Sequence, residues 1–168
     1  RRRREAQLEA MMEVDRRSAE ILTFSKGHRD RDLWLERAVS QTSEQLALIR
    51  ETIFSAISTA RHHLLLDLKA GEGLLTWEAL RRVPEGGVWS VCDDSTAASL
   101  LESRAQALAE LERPKVLVGA AQALPELLER SQGGQIRFDA AVGRNALFRE
   151  PDKSACLKAV SAVLRPAG

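Results

Sequence analysis

The chain has 168 residues, 44% of them hydrophobic and 29% charged, which is enough for a buried core and too little for two full domains. A formal net charge of +1 excludes any whole-chain field that would draw it to nucleic acid or to a membrane. No apolar run approaches the ~20 residues that cross a bilayer and no signal-peptide core follows the basic start, so the reading is a soluble, cytoplasmic protein.

Taken in chain order, Leu8, Met11, Met12, Ala19 and Leu22 recur at helical steps over residues 5 to 26, with Gly27 and His28 as the stop. A second helix is expected from Asp30, with Leu33, Trp34 and Ala38 on one side. Thr42 and Gln45 have capping-box spacing for a third, which would carry Leu46, Ile49, Ile53 and Ile57 inward. At Leu64 the period changes. The run Leu64 to Leu68 reads as a strand buried on both faces, stopped by Gly71-Glu72-Gly73, and a helix follows from Leu74 to Val83. Strands are then expected at Val88–Cys92, Val116–Val118 and Phe138–Val142. The helices between and after them fall at Thr96–Glu112, Ala123–Arg130 and Asp152–Leu164. This alternation predicts a parallel sheet covered on both faces. The division is a helical segment over 1–61 and an α/β domain over 62–168. Arg1 starts without an initiator methionine and Pro166-Ala167-Gly168 reads as a turn, so the chain reads as part of a longer one.

The chemistry concentrates between Leu64 and Asp94. A buried strand enters a glycine turn, a helix starts at once, and Asp93 follows the next strand twenty positions beyond Gly73. Glycines admit a ligand close to backbone, a helix N-terminus offers unpaired N–H groups, and a later acid can accept from ribose hydroxyls. That is a nucleoside-binding pattern. A dinucleotide fingerprint would place Gly or Ala where Thr76 stands, which disfavours a nicotinamide cofactor.

The run Leu65-Leu66-Asp67-Leu68-Lys69-Ala70-Gly71-Glu72-Gly73 resembles the first motif of the class I S-adenosylmethionine (SAM)-dependent methyltransferases. Val88–Asp93, Gly119–Pro125, Phe138–Leu147 and Val163–Gly168 are similar, in order, to the later segments of that family. The resemblance implies a Rossmann-like fold ending before strand five, with SAM as cofactor. It places Asp67, Gly71, Gly73, Asp93 and Asn145 along the cofactor site. The methyl acceptor and the catalytic residues stay unassigned. Lys69 replaces the first glycine of the motif, and Ala120 stands where many members have an acid. These departures keep a second reading open, a non-catalytic interaction module. The Arg-rich start, Trp34–Arg37 and Ile49-Arg50 resemble the C-terminal extension of RarA-type replication-associated recombination AAA+ ATPases, which implies an ATPase on the same chain and a context in DNA recombination.

Each candidate has a plainer alternative. Asp93 could cap the helix that follows instead of binding ribose. Trp34, Trp77 and Trp89 fit a core. His28, His62, His63, Cys92 and Cys156 lack metal-ligand spacing, and the two cysteines read as reduced thiols. Arg1–Arg4 could touch nucleic acid, though Glu5, Glu9 and Glu13 make a solvated helix end the stronger reading. Gly143-Arg144-Asn145-Ala146 lacks the Asn/Asp-Pro-Pro-aromatic motif of base amino-methyltransferases. Cys156 lies too far along for a cytosine C5 nucleophile. If the strand at 138–142 is outermost, its apolar edge invites self-association.

Overall fold

The computed structural model describes residues 27–40, 43–132 and 135–166. The helix expected over 5–26, the arginines Arg1–Arg4 and the cap at Thr42 lie outside these residues. The chain divides into two units, Arg1–Trp34 and Leu35–Gly168. Residues 27–40 are helical (α1), so Gly27 and His28 lie within a helix where the sequence suggested a stop. All of the sheet and its helices belong to the second unit.

Four parallel strands, β1 (Leu64–Asp67), β2 (Gly87–Cys92), β3 (Lys115–Val118) and β4 (Ala140–Val142), stand in the order β3-β2-β1-β4. Central β1 pairs Leu64 with Gly87 and Asp67 with Ser90 on one side, and Leu65 with Ala140 on the other. Its three leucines explain the position, because a strand flanked on both edges and covered on both faces must be apolar throughout. Leu66, Val91, Leu117, Phe138, Leu124, Leu128, Val160 and Val163 form the core beneath α5 (Leu124–Gln132) and α6 (Lys153–Val163). Trp89 meets Phe138 edge to face at 5.5 Å, and Trp77 is buried.

α3 (Leu74–Arg82) packs beside β1 and β2 and carries α2 (Glu44–Ser55). The apolar stripe expected on α2 is only half-buried. Its deepest residues are Phe54 and Arg50, because α3 presents charges to it. Fully buried Glu78 accepts from Arg81 Nη2 (2.8 Å) and Arg82 Nε (2.7 Å), and Arg50 Nε lies 3.8 Å away. Arg82 also reaches Glu51 (3.4 Å) and stands over the Phe54 ring.

α4 (Ser95–Ala105) ends about two turns before the expected Glu112. The N–H groups of Gln106, Ala107 and Leu108 bond three residues back, tightening the chain so that Leu108 enters the core. The outer side of β4 is partly covered. Phe138 N–H donates to Val163 O (2.9 Å) and Arg165 N–H to Phe138 O (2.8 Å), so Leu164 pairs in parallel with Phe138. Arg165 is tied further by a 2.8 Å ion pair to Asp139.

Candidate functional site

The strand order reverses beside β1: β2 and β3 lie to one side and β4 to the other. In open parallel sheets the crevice at such a point, beyond the carboxyl ends of the strands, is the natural ligand position. Here the turn leaving β1 and the turn leaving β4 face each other across a cavity of about 360 Å³. Lys69, Ala70, Gly71, Glu72, Leu74 and Leu75 supply one wall, Arg144 and Asn145 another, and Leu46 of α2 a third.

Asp67 does not line this cavity; it is wholly buried beneath the turn. Its Oδ2 accepts from Thr76 Oγ1 (2.8 Å) and its Oδ1 from Lys69 N–H (3.2 Å), while Thr76 and Ser90 hydroxyls meet at 2.9 Å. Burial pushes the Asp67 carboxyl up to about 6, with hydrogen bonds from Thr76 and Lys69 pulling back. Asp67 therefore braces the turn and the first turn of α3 from below. Thr76, informative in the sequence only as the residue that broke a dinucleotide pattern, is the group that meets this acid.

The glycines have separate tasks. Gly71 has φ +51, and a Cβ there would meet nothing within 4 Å, so the backbone is open toward the cavity. Gly73 has φ +94 and caps α3; a Cβ would come within 2.4 Å of Trp77 Nε1. Its lack of a side chain lets the tryptophan seal the turn. Arg104 of α4 adds a hydrogen bond to Glu72 O (2.9 Å).

Asp93 is exposed, its side chain 66% accessible, and it forms an ion pair with Lys69 (Nζ to Oδ2, 3.4 Å). The capping alternative falls to its neighbour: Asp94 Oδ1 accepts from Ala97 N–H at 2.8 Å. The Lys69 side chain is thus turned to the acid that follows β2. That contact requires the register of β1 on β2, which no spacing in the sequence reveals. Asn145 lies across the cavity in the left-handed region, φ 54. Of the five residues read from the sequence, Gly71 and Asn145 line the cavity. Asp67 and Gly73 shape its floor, and Asp93 stands at the end of β2, held by Lys69. Leu46 and Arg144 were not among the site candidates. The exposed Ala120 follows β3 and contributes no acid.

Cys92, at the carboxyl end of β2, is buried and free, as is Cys156. Burial pushes the Cys92 thiol up to about 11, assisted by Asp67, Asp93, Asp94 and Glu102, so it is no nucleophile at neutral pH.

No protein-family model and no curated protein matches the sequence. Solved structures do match it. An arsenic(III) SAM methyltransferase from Chlamydomonas reinhardtii is 21% identical over 80% of this chain and 46% of its own, with a TM-score of 0.56. An O-methyltransferase from Bacillus cereus in complex with S-adenosylhomocysteine (SAH) is 14% identical over 81% and 62%, with a TM-score of 0.54. YjhP from E. coli is 19% identical over 76% and 46%, with a TM-score of 0.53. The chain thus spans under half the length of two of these three proteins. The likeness is one of fold: this chain shares with these proteins a Rossmann-like α/β architecture, here with a four-stranded parallel sheet.

Proposed function

We propose that this is a SAM-binding, methyltransferase-like domain whose cofactor lies over the Gly71 turn and whose methyl acceptor is unassigned. The observation that carries this reading is the open backbone at Gly71, facing Asn145 across a cavity at the point where the strand order reverses. The residues present fit such a ligand. A volume of about 360 Å³ falls within the ordinary range for small-molecule sites, and an accessible carboxylate at Asp93 offers an acceptor for ribose hydroxyls.

When bound, SAM supplies an electrophilic methyl group. The chain's own residues hold and orient. Asp67 and Thr76 keep the turn from collapsing, Gly71 admits close approach, and Leu46 closes one side against water. Lys69 occupies one oxygen of Asp93, Oδ2, and so competes with a ribose for this carboxylate. An exposed ion pair of this kind contributes under about 1 kcal/mol, so the lysine weakens the site without abolishing it.

The Lys69–Asp93 contact also favours a second reading, a methyltransferase-like module without catalysis that serves as an interaction appendage. In that reading the partner is an AAA+ ATPase of the RarA type on the same chain, in DNA recombination, with nucleic acid at Arg1–Arg4 or self-association at the sheet edge as further contacts. Calorimetric titration of SAM and SAH decides between the two. The first reading predicts saturable binding, lost in Asp93→Ala and tightened several-fold in Lys69→Gly. Absence of binding in both the parent chain and Lys69→Gly, each folded by circular dichroism, would leave the module.

A further inference from the structure

The turn that leaves β4 carries more than a cavity wall. Gly143 packs close to Leu68 and Ala146, Asn145 is left-handed, and Phe148 N–H bonds back to Asn145 O at 3.1 Å, so residues 143–148 form a fixed turn. Phe148 is nonetheless 76% exposed. Arg144 and Arg149, also exposed, flank it within the turn, and neither has an ion pair among the described residues. Of the nearby acids, Asp152 caps α6 through Ala155 N–H (2.9 Å). Two free guanidinium groups and one solvent-facing ring thus fall within six residues of chain, of which Arg144 lines the cavity.

From this placement we infer that the Arg144–Arg149 turn binds single-stranded nucleic acid, with a base stacked on Phe148 and phosphates on the two arginines. An aromatic face offers sequence-tolerant stacking to any unpaired base, and the flanking charges match a phosphate backbone. A protein contact centres on a core of several side chains, mostly apolar and aromatic, that are desolvated together. Within this turn Phe148 is the one exposed apolar side chain, since Ala146 and Leu147 beside it are half-buried. The turn lacks the Asn/Asp-Pro-Pro-aromatic sequence, so this is a binding surface and no claim of base methylation. The inference is independent of the cofactor reading, because a strand can bind here whether or not SAM binds over Gly71.

Fluorescence anisotropy with a labelled oligothymidylate tests it, against a duplex of equal length and without SAM. The chain should bind the single strand more tightly than the duplex. Phe148→Ala, at an exposed site where folding is unaffected, should weaken binding about fivefold or more. The double variant Arg144→Ala/Arg149→Ala should flatten the salt dependence by about 1.4 in slope, the value for two phosphate contacts on a single strand. The inference is overturned by no binding, by equal binding of duplex, or by Phe148→Ala behaving as the parent chain. It is equally overturned if binding disappears when Arg1–Arg4 are replaced by alanine and persists in the turn variants.

Discussion

Asp67 is the residue on which the site's geometry and its cost both rest. A buried carboxylate held up to about 6 keeps a proton in the folded chain that the unfolded chain, at 3.8, has already lost. Between those two values the native state binds more protons, so rising pH removes stability, up to roughly 3 kcal/mol for a shift of about two units. Above about 6 the penalty is constant. Glu78 acts in the opposite sense. Burial alone would raise its carboxyl, but hydrogen bonds from Arg81 and Arg82 outweigh that and hold it below the usual glutamate value, so its contribution is lost toward acid. Asp67→Asn keeps an acceptor for Lys69 N–H and removes the titration. Urea melts from acid to neutral pH should show a parent chain that loses stability between 3.8 and about 6, and a variant whose profile is flatter by that amount. Identical profiles would mean that Asp67 is not the group responsible.

At the scale of elements, the β1–turn–α3 unit was legible because several local signals agree: three leucines, an acid at the strand end, then glycines at alternate positions. The strand sits at Leu64–Asp67 and the helix starts at Leu74, as those signals require. What local signals miss are contacts set by register. Nothing in the spacing says that Lys69 will meet Asp93, that Thr76 and Ser90 will share a buried polar pocket with Asp67, or that Arg50 will be buried to reach Glu78. The same limit applies to α4, where the helical pattern runs on to Glu112 while the core needs Leu108 and therefore ends the helix early. Gly73→Ala tests the unit's tightness directly. A left-handed backbone and a Cβ within 2.4 Å of the Trp77 ring should together cost about 2 kcal/mol or more in chemical denaturation. A cost under about 0.5 kcal/mol would show that the turn relaxes freely.

Across the whole α/β unit, the sheet fixes where function can reside. Reversal of strand order at β1 opens one crevice at the carboxyl ends of the strands, and the residues picked out by sequence lie around it although they come from three separate turns. Asn145 and Gly71 are 74 positions apart and face one cavity; their joint presence there follows from β4 pairing with β1. α2, which falls in the helical segment expected over 1–61, is clasped to α3 through Glu78 and Arg82 and lends Leu46 to the cavity. We propose that this crevice is a SAM site. Titration of SAH into isotopically labelled protein, followed by backbone amide NMR, tests it most directly. Shifts should concentrate at residues 69–75, at Asp93 and at Arg144–Asn145. Saturable shifts centred elsewhere, or none at all in a folded chain, would contradict it.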